Sequence, residues 1–246
     1  MTALARTLLA PCVVLCATSP HATTRTAGAA GAGYTTIQAA IDASSNKDES
    51  LVFPGTYLGT IDFKGKSLWL HSQQGPAVTT LQGSGTVVTV SQDETSDTVI
   101  EGFTITSSGT GIYVGRASPV LQGCTFKNAT GTYGLTVREG GTPLPRNLTV
   151  TKNKATHAFY IGDVATSVVI EDSTLTHNVS ANGGAITIVY GATVEVRRST
   201  FTGNSGTTYG GAIYVSGANL TVSDSTFSGN AIVDYGSALF LDAAAP

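Results

Sequence analysis

Four charged residues fall at one point of successive repeats in this 246-residue chain, so a fold that stacks the repeats would bring them together. They are Arg116, Arg138, Glu139 and Asp163, and His157 comes shortly before the last of them. An acid pair beside two arginines could bind an acidic sugar or transfer protons. The same pattern is typical of paired, solvated charges in turns. The sequence therefore assigns no catalytic residue and keeps these four as candidates if the chain is an enzyme.

An aromatic column is the predicted ligand-binding set. One strand position carries Tyr113, Tyr160, Tyr214 and Phe240, with threonine in the intervening repeats. A tyrosine offers a ring face that can stack on a sugar and a hydroxyl that can hydrogen-bond to it. The alternative is that tyrosine and threonine in neighbouring repeats only stabilise the sheet through cross-strand contacts. Both interpretations stay open on the sequence alone.

A threonine-rich face provides a third candidate surface. Such a flat Thr-x-Thr array resembles the ice-facing side of antifreeze proteins, which makes ice binding one hypothesis. Lys127 interrupts the second column of the array, and threonine is also an ordinary outward-facing strand residue. The two columns consist of Thr104, Thr125, Thr149, Thr174, Thr200 and Thr226, with Thr106, Thr151, Thr176 and Thr202 beside them.

Internal repeats fix the positions of all these residues. A glycine-rich motif occurs as NGGAITI at 182–188, YGGAIYV at 209–215 and YGSALFL at 235–241. A period near 25 residues is too short for helical repeats, which need about 33 or more. Asparagine recurs in step with the motif, and at a fixed turn position it predicts a ladder of side-chain amides. The asparagines of this series are Asn128, Asn153, Asn178, Asn204 and Asn230.

Two short strands per repeat have an apolar residue flanked by polar ones, and this alternation predicts one inward and two outward columns. Stacked coils of this kind form an all-β parallel solenoid, with about eight coils between Leu51 and Leu241. The first predicted inward column is Ile105, Phe126, Val150, Leu175, Phe201 and Phe227, and the second is Ile112, Leu135, Phe159, Ile186, Ile213 and Leu239.

The motifs resemble those of known repeat families. The GGAI and FxxN motifs are similar to the repeat of chlamydial polymorphic outer-membrane proteins. The start, YTTIQAAIDAS followed by LVFPGTYLGTIDFKGKSLWL, resembles the entry of the pectin-lyase-like right-handed β-helix superfamily. This resemblance implies a right-handed parallel β-helix with a short N-terminal capping helix near Ile37 to Ala43, with Ile37, Ala40 and Ile41 inward. The superfamily includes lyases, hydrolases, esterases, epimerases and non-catalytic adhesins, so it implies the fold more than the activity.

The chain divides into four predicted segments. Residues 1–22 carry Arg6 and an apolar stretch, which predict a secretory signal peptide too short to span a bilayer. A Gly- and Ala-rich linker (23–33), an N-terminal capping segment (34–50) and the β-helix (51–246) follow. The last coil is predicted to be truncated or uncapped, and its open strand edges are expected to favour self-association. Once the signal peptide is removed, Cys124 is the only cysteine, so no disulfide is expected.

The charge composition excludes one class of partner. Only 12% of the residues are charged, and 13 Lys and Arg against 16 Asp and Glu leave no basic surface for nucleic acid. No cluster of His, Cys, Asp or Glu has metal-ligand spacing, so no metal or cofactor is expected, and Ca²⁺ would enter only with a pectate-lyase-like activity. Acids and arginines alternate from coil to coil, which predicts the salt ladders Glu171–Arg197 and Asp172–Arg198–Asp224.

The sequence thus predicts a secreted or cell-surface binding or adhesion module without a transmembrane segment. It would contact glycans or a partner protein through the aromatic and threonine columns. The first alternative is a polysaccharide-degrading enzyme of the pectate-lyase-like class, either a lyase or a glycoside hydrolase. The second alternative is an ice-binding protein that uses the Thr-x-Thr face.

Overall fold

The computed structural model describes residues 22–232 and 238–242, which form a parallel β-solenoid. Each strand pairs in parallel with the equivalent strand of the next coil, as Thr149 pairs with Thr174 and Thr174 with Thr200. Three long sheets run along the solenoid, and a fourth, short sheet lies beside its later coils. Among the described residues there is one α-helix, α1 (Ile37–Ala43), and none that is long and apolar enough to cross a membrane.

The strands of each sheet come from successive coils. Sheet A contains β1 (Thr24–Ala27), β2 (Glu49–Val52), β5 (Trp69–Ser72), β8 (Val99–Glu101), β11 (Val120–Gln122), β14 (Leu144–Arg146), β17 (Ser167–Glu171), β21 (Thr193–Arg197) and β25 (Asn219–Ser223). Sheet B contains β3 (Gly55–Leu58), β6 (Thr79–Gly83), β9 (Thr104–Ser107), β12 (Thr125–Lys127), β15 (Thr149–Thr151), β18 (Thr174–Thr176), β22 (Thr200–Thr202) and β26 (Thr226–Ser228). Sheet C contains β4 (Ile61–Asp62), β7 (Thr86–Val90), β10 (Thr110–Gly115), β13 (Tyr133–Arg138), β16 (His157–Ile161), β20 (Ile186–Val189), β24 (Ile213–Ser216) and β28 (Leu239–Asp242). Sheet D contains β19 (Val179–Asn182), β23 (Ser205–Tyr209) and β27 (Ala231–Ile232).

The two inward columns that the alternation predicts form a large part of the core. The column from Ile105 to Phe227 is aligned coil by coil in sheet B. The column from Ile112 to Leu239 is aligned in the same way in sheet C. Most of these side chains are fully buried, so the alternation of apolar and polar residues predicts the register correctly.

Helix α1 lies at the N-terminal end of the solenoid as predicted, where it packs against β1, β2 and β4. Thr36 caps the helix by accepting a hydrogen bond from the backbone N–H of Ala39 at 3.2 Å. Ile37, Ala40 and Ile41 are its buried residues, and they belong to the continuous core. The helix therefore covers apolar surface that the first coils would otherwise expose.

The segment predicted as a linker contains a strand, whereas the eight coils predicted from Leu51 to Leu241 are confirmed. Strand β1 lies inside the segment 23–33 and pairs with β2 from Thr24 to Ala27, which gives sheet A nine strands. Asp48 holds this strand in place, because its carboxylate accepts from the backbone N–H of Thr23 at 2.8 Å and from Arg25 at 2.5 Å. The Gly- and Ala-rich composition after Ala27 conceals this short strand in the sequence. The predicted signal peptide lies almost wholly outside the described residues.

The asparagine ladder is present in four of the five predicted positions. Asn153 donates from Nδ2 to Oδ1 of Asn178 at 2.8 Å, and Asn178 and Asn204 repeat this bond to the next coil at 2.9 Å. Asn128 is instead exposed, and Ala129 occupies the ladder position with its N–H bonded to Asn153 Oδ1. The prediction for Asn128 is wrong because of its spacing from the inward residue. Asn128 follows Phe126 by two positions, whereas Asn153 follows the inward Val150 by three.

A charged cluster crosses sheet A near its later coils. The Glu171 carboxylate accepts from Arg197 Nε at 2.8 Å and from Arg198 Nη2 at 2.9 Å, and Arg198 Nε donates to Asp172 at 2.8 Å. The predicted Glu171–Arg197 and Asp172–Arg198 pairs are therefore confirmed. The predicted third member, Asp224, is not bonded to Arg198, because that guanidinium is already occupied by Asp172 and Glu171.

This cluster makes stability depend on pH. The hydrogen bond from Arg197 is the largest cause that lowers the pKa of Glu171 below its ordinary value of 4.5. A carboxyl whose pKa is lower in the folded chain stabilises the fold above its unfolded pKa, and this contribution disappears as pH falls through the folded pKa. We expect Glu171→Gln to be less stable than the parent at neutral pH and to converge with it below pH 4.5 in urea titrations. Parallel stability profiles for the two proteins would contradict this assignment.

Candidate functional site

The predicted aromatic column is aligned as expected, but its members differ in burial. Tyr113 pairs with Thr136, which pairs with Tyr160, and the column continues through Thr187 and Tyr214 to Phe240. Tyr160 is only 6% exposed, whereas Tyr113, Tyr214 and Phe240 are half-buried. The prediction that Tyr160 presents an open ring face is therefore wrong, since neighbouring side chains cover it.

Glycine two residues along the strand lets these rings lie against the sheet. A Cβ at Gly162 would lie 2.9 Å from Cε1 of Tyr160, and a Cβ at Gly115 would lie 2.8 Å from the Tyr113 hydroxyl. A side chain at either glycine would displace the ring, so the Tyr-x-Gly spacing determines the ring position. Tyr214 is followed by Ser216 at the corresponding position.

The cover over Tyr160 is a cluster of aromatic and cationic groups. The rings of Tyr133 and His157 each lie 5.2 Å from the ring of Tyr160, and the Arg138 guanidinium carbon lies 4.5 Å from the Tyr160 ring centroid. Tyr133 and His157 stack on each other with centroids 5.6 Å apart. The Nε atom of Arg138 is buried and has no hydrogen-bond partner among the described residues.

His157 has a defined proton position. The Thr187 hydroxyl donates its one proton to the carbonyl oxygen of Asn182 at 2.5 Å, so its oxygen must accept from His157 Nδ1 at 2.9 Å. Burial, and after it the positive charge of Arg138, lowers the pKa of His157 below its usual value. The imidazole is therefore neutral at neutral pH, with its proton on Nδ1 and a lone pair on Nε2.

His157, Tyr160 and Thr187 border an open groove of about 660 Å³, here called the aromatic groove. Its rim carries Tyr190, which is 68% exposed, and Val164, which is 78% exposed. Both follow strands of sheet C, and Tyr190 adopts a left-handed backbone with φ 55°. The groove is lined by His157, Tyr160, Val164, Asn182, Thr187, Val189, Tyr190, Gly191, Tyr214, Ser216 and Gly217.

A second aromatic cluster borders the later end of the groove. The Tyr209 ring lies 5.6 Å from the Tyr214 ring and 4.9 Å from the Phe240 ring, and Tyr214 and Phe240 are 5.9 Å apart. Sheet D positions Tyr209, whose partner in the preceding coil is Asn182. Sequence reasoning missed Tyr133, Tyr190, Asn182 and Tyr209, because they lie outside the column whose period it followed.

The four charged candidates do not converge on one reactive centre. Arg116, Glu139 and Asp163 occupy the same left-handed turn position on three coils. Glu139 accepts from the Tyr113 hydroxyl at 2.9 Å and lies 3.9 Å from Arg116, while Asp163 accepts from the backbone N–H of Glu139 at 3.3 Å. Burial, followed by the bond to Glu139, raises the pKa of Tyr113 to about 12. These contacts are those of paired turn charges, whereas the Arg138 guanidinium packs on the Tyr160 ring.

A calcium ion would be needed only for a pectate-lyase-like activity. In the described part of the chain, no group of three or more His, Cys, Asp or Glu side chains could hold a metal ion. The nearest acids, Glu139 and Asp163, already accept hydrogen bonds from protein groups. The donor set around the aromatic groove therefore does not fit calcium.

The threonine face is regular over its later coils only. Thr149, Thr174, Thr200 and Thr226 are aligned and exposed, and Thr176 donates to the Thr151 hydroxyl at 3.1 Å. Thr104 is buried and donates to the carbonyl oxygen of Pro76, so the first column does not continue through its coil. Ice binding by this face stays a prediction.

Solved structures share this fold. The pectin methylesterase of Aspergillus niger, in a penultimately deglycosylated form, superposes with a TM-score of 0.58 at 15% identity, covering 93% of this chain and 92% of that chain. Carrot pectin methylesterase gives a TM-score of 0.55 at 10% identity, covering 92% and 90%. The pectate lyase Pel9A gives a TM-score of 0.51 at 16% identity, covering 83% and 79%. At such identities the likeness shows the fold alone.

Sequence comparisons give the family. No curated protein sequence matches the chain significantly. The resemblance to chlamydial polymorphic outer-membrane repeats is not tested by these findings and stays a prediction. A family model described as a right-handed β-helix region matches residues 78–232. This match spans more than half of the chain and agrees with its parallel solenoid, so the protein belongs to the right-handed β-helix family.

Proposed function

We propose that the chain is a secreted carbohydrate-binding module that holds a sugar chain in the aromatic groove. The observation that carries the proposal is the lining of this groove. Its described residues combine tyrosine and histidine rings with uncharged polar groups and include no carboxylate. Ligand sites of this kind use apolar and aromatic walls for affinity and a few placed polar groups for orientation. The predicted signal peptide supports the secreted location.

Individual groups in the groove match the chemistry of a sugar. The exposed ring of Tyr190 and the half-buried ring of Tyr214 offer faces for the C–H side of a pyranose. The Nε2 lone pair of neutral His157 can accept a hydrogen bond from a sugar hydroxyl. Neighbours of the same fold are named for pectin and pectate, both polysaccharides, and this analogy adds support without identifying the sugar.

A glycan panel tests the proposal. The probes are oligosaccharides of polygalacturonate, alginate, cellulose and xylan, each measured by calorimetry at several chain lengths. We expect at least one series to bind, with affinity rising with length until the groove is filled. Thr200→Ala, on the distant exposed face of sheet B, is the matched control and should bind as the parent does. Failure of every series to bind would reject a glycan-binding role.

One observation favours the enzyme alternative as a second candidate. Arg138 and His157 both contact the Tyr160 ring, so a guanidinium cation and a neutral imidazole with a lone pair on Nε2 lie on the same aromatic side chain. In a uronate chain, such a base could remove the proton next to the carboxylate while the arginine neutralises the carboxylate. The neighbouring C–O bond would then break and leave a carbon–carbon double bond, with the leaving oxygen taking up a proton.

The same panel distinguishes binding of a sugar chain from its cleavage by a lyase. We expect binding without formation of unsaturated product, measured by ultraviolet absorbance with and without Ca²⁺, because the acids near the groove are paired. A rate that disappears in His157→Gln and in Arg138→Ala would favour the lyase. A Ca²⁺-dependent rate that disappears in Asp163→Asn would instead show that the turn charges act as the alternative predicts.

A further inference from the structure

Within residues 22–232 and 238–242, the first coil of the solenoid contributes a strand to sheet A but none to sheets B and C. Sheet A begins with β1, but sheets B and C begin with β3 and β4, which both belong to the second coil. Instead of forming a first-coil strand of sheet B, the chain after β1 passes through a turn at residues 28–36 and enters α1. Strand β3 consequently has one neighbour, β6, and its other edge faces this gap.

The gap is a groove of about 650 Å³, here called the edge groove. Residues 28–29 and 35–38 form one wall, and residues 54–61 form the other. Leu81 and Val87, both core residues, contribute to its lining, and Leu58 stands at the rim with 79% of its surface exposed. The groove thus offers apolar contacts beside the free edge of a strand.

The backbone of β3 points unpaired groups into this groove. Gly55 donates to the carbonyl oxygen of Val78 at 3.0 Å, and Gly59 donates to that of Gln82 at 3.1 Å, so these residues face β6. In a parallel strand, alternate residues direct their N–H and C=O groups to opposite edges. The backbone groups of Thr56 and Leu58 therefore face the groove, and the described residues supply no partner for them.

The equivalent edge of sheet C is closed, which shows that the two edges differ. The Gln38 side chain donates to the carbonyl oxygen of Asp62 at 3.0 Å and accepts from the Asp62 N–H at 2.8 Å. An amide side chain thus replaces a neighbouring strand along β4. In the part of the chain that the structure describes, no such side chain covers β3, and its edge is available for pairing.

From this geometry we propose that the edge groove binds an extended, uncharged peptide segment of a partner protein as an added strand of sheet B. Alternating backbone donors and acceptors along the edge match a peptide, and strand addition is a known mode of peptide recognition. None of the described residues that line the groove carries a charged side chain, so the groove fits a segment without charges. An apolar side chain of the segment would pack toward Leu81 and Val87.

The probe is a capped synthetic peptide that copies residues 147–151, an uncharged segment that includes strand β15. Calorimetry measures its affinity, and amide hydrogen exchange by NMR shows where it binds. We expect binding to slow exchange at Thr56 and Leu58. Thr56→Pro removes one N–H that faces the groove, and proline is tolerated on strand edges, so this variant should bind at least about tenfold more weakly. Thr56→Val keeps the backbone N–H and should bind like the parent.

Modified peptides keep the test informative even if Thr56→Pro fails to fold. One peptide is N-methylated at its two threonines, and the other is N-methylated at its leucine and valine. Because alternate residues direct their N–H groups to opposite edges, each modification blocks hydrogen bonding along one edge of the peptide. We expect one of them to bind like the parent peptide and the other to lose binding. Equal binding of the two, equal loss in Thr56→Val and Thr56→Pro, or no binding of the parent peptide at about 1 mM would overturn the proposal. A dimer of the free chain that Thr56→Pro abolishes would overturn it in favour of a second copy as occupant.

Discussion

Replacing Asn204 with alanine is expected to lower the free energy of unfolding by about 2–4 kcal/mol. The Asn204 side chain is fully buried and makes four hydrogen bonds. Its Nδ2 donates to Leu175 O at 2.8 Å and to Asn230 Oδ1 at 2.9 Å, and its Oδ1 accepts from the N–H and Nδ2 of Asn178 at 3.1 and 2.9 Å. Alanine would leave these partners without their bonds in an interior that water does not reach.

Two control variants test whether burial in the ladder causes this loss. Thr200→Ala changes an exposed residue of the same coil and should cost less than about 0.5 kcal/mol. Asn128→Gly removes the asparagine that lies outside the ladder, at φ 55°, where glycine is unstrained and stability should not fall. Urea unfolding followed by circular dichroism measures all three. A loss at Asn204 no larger than that at Thr200 would mean that the ladder contributes little.

The fold follows from local periodicity to an unusual extent. Because every coil contacts only its neighbours, one alternating pattern repeated along the chain determines both the inward columns and the register. The same reliance on spacing explains the error at Asn128. The interval of 25 residues to Asn153 looks regular, but the inward residues Phe126 and Val150 are only 24 apart, so Ala129 takes the ladder position. The spacing from the inward residue of the same coil therefore predicts the ladder position better than a fixed interval between asparagines does.

The alignment of the aromatic residues along sheet C could be predicted from the sequence, but their solvent exposure could not. The order of Tyr113, Tyr160 and Tyr214 along sheet C follows from the period, and the structure confirms it. Burial of Tyr160 depends on Arg138 and on rings from adjacent coils, whose contacts no single strand pattern encodes. The rim residue Tyr190 lies in a turn, where the alternation of inward and outward residues no longer applies. Sequence periodicity thus indicates the strand face and leaves the groove itself to tertiary structure.

The second large effect is expected at Tyr190, the most exposed ring of the aromatic groove. Tyr190→Gly should weaken binding of the glycan that the panel identifies by about tenfold, because a sugar would lose one stacking face. Stability should not fall, since the ring is 68% exposed and glycine adopts φ 55° without strain. This separation makes Tyr190 a cleaner test than Tyr214, whose ring packs on Tyr209 and Phe240. It is also cleaner than Tyr160, whose replacement would open a buried cluster.

Conservative and distant variants determine what a loss at Tyr190 means. Tyr190→Phe keeps the ring and should retain most of the affinity if stacking is the main contribution, whereas a loss equal to that of Tyr190→Gly would assign the contribution to the hydroxyl. Gly162→Ala should weaken binding for another reason, since its Cβ would displace the Tyr160 ring that forms the floor beneath His157. Calorimetry with the panel glycan measures each variant, and thermal unfolding confirms that each is folded. Unchanged affinity in both Tyr190→Gly and Gly162→Ala would place the sugar elsewhere on the solenoid and leave the aromatic groove with a structural role.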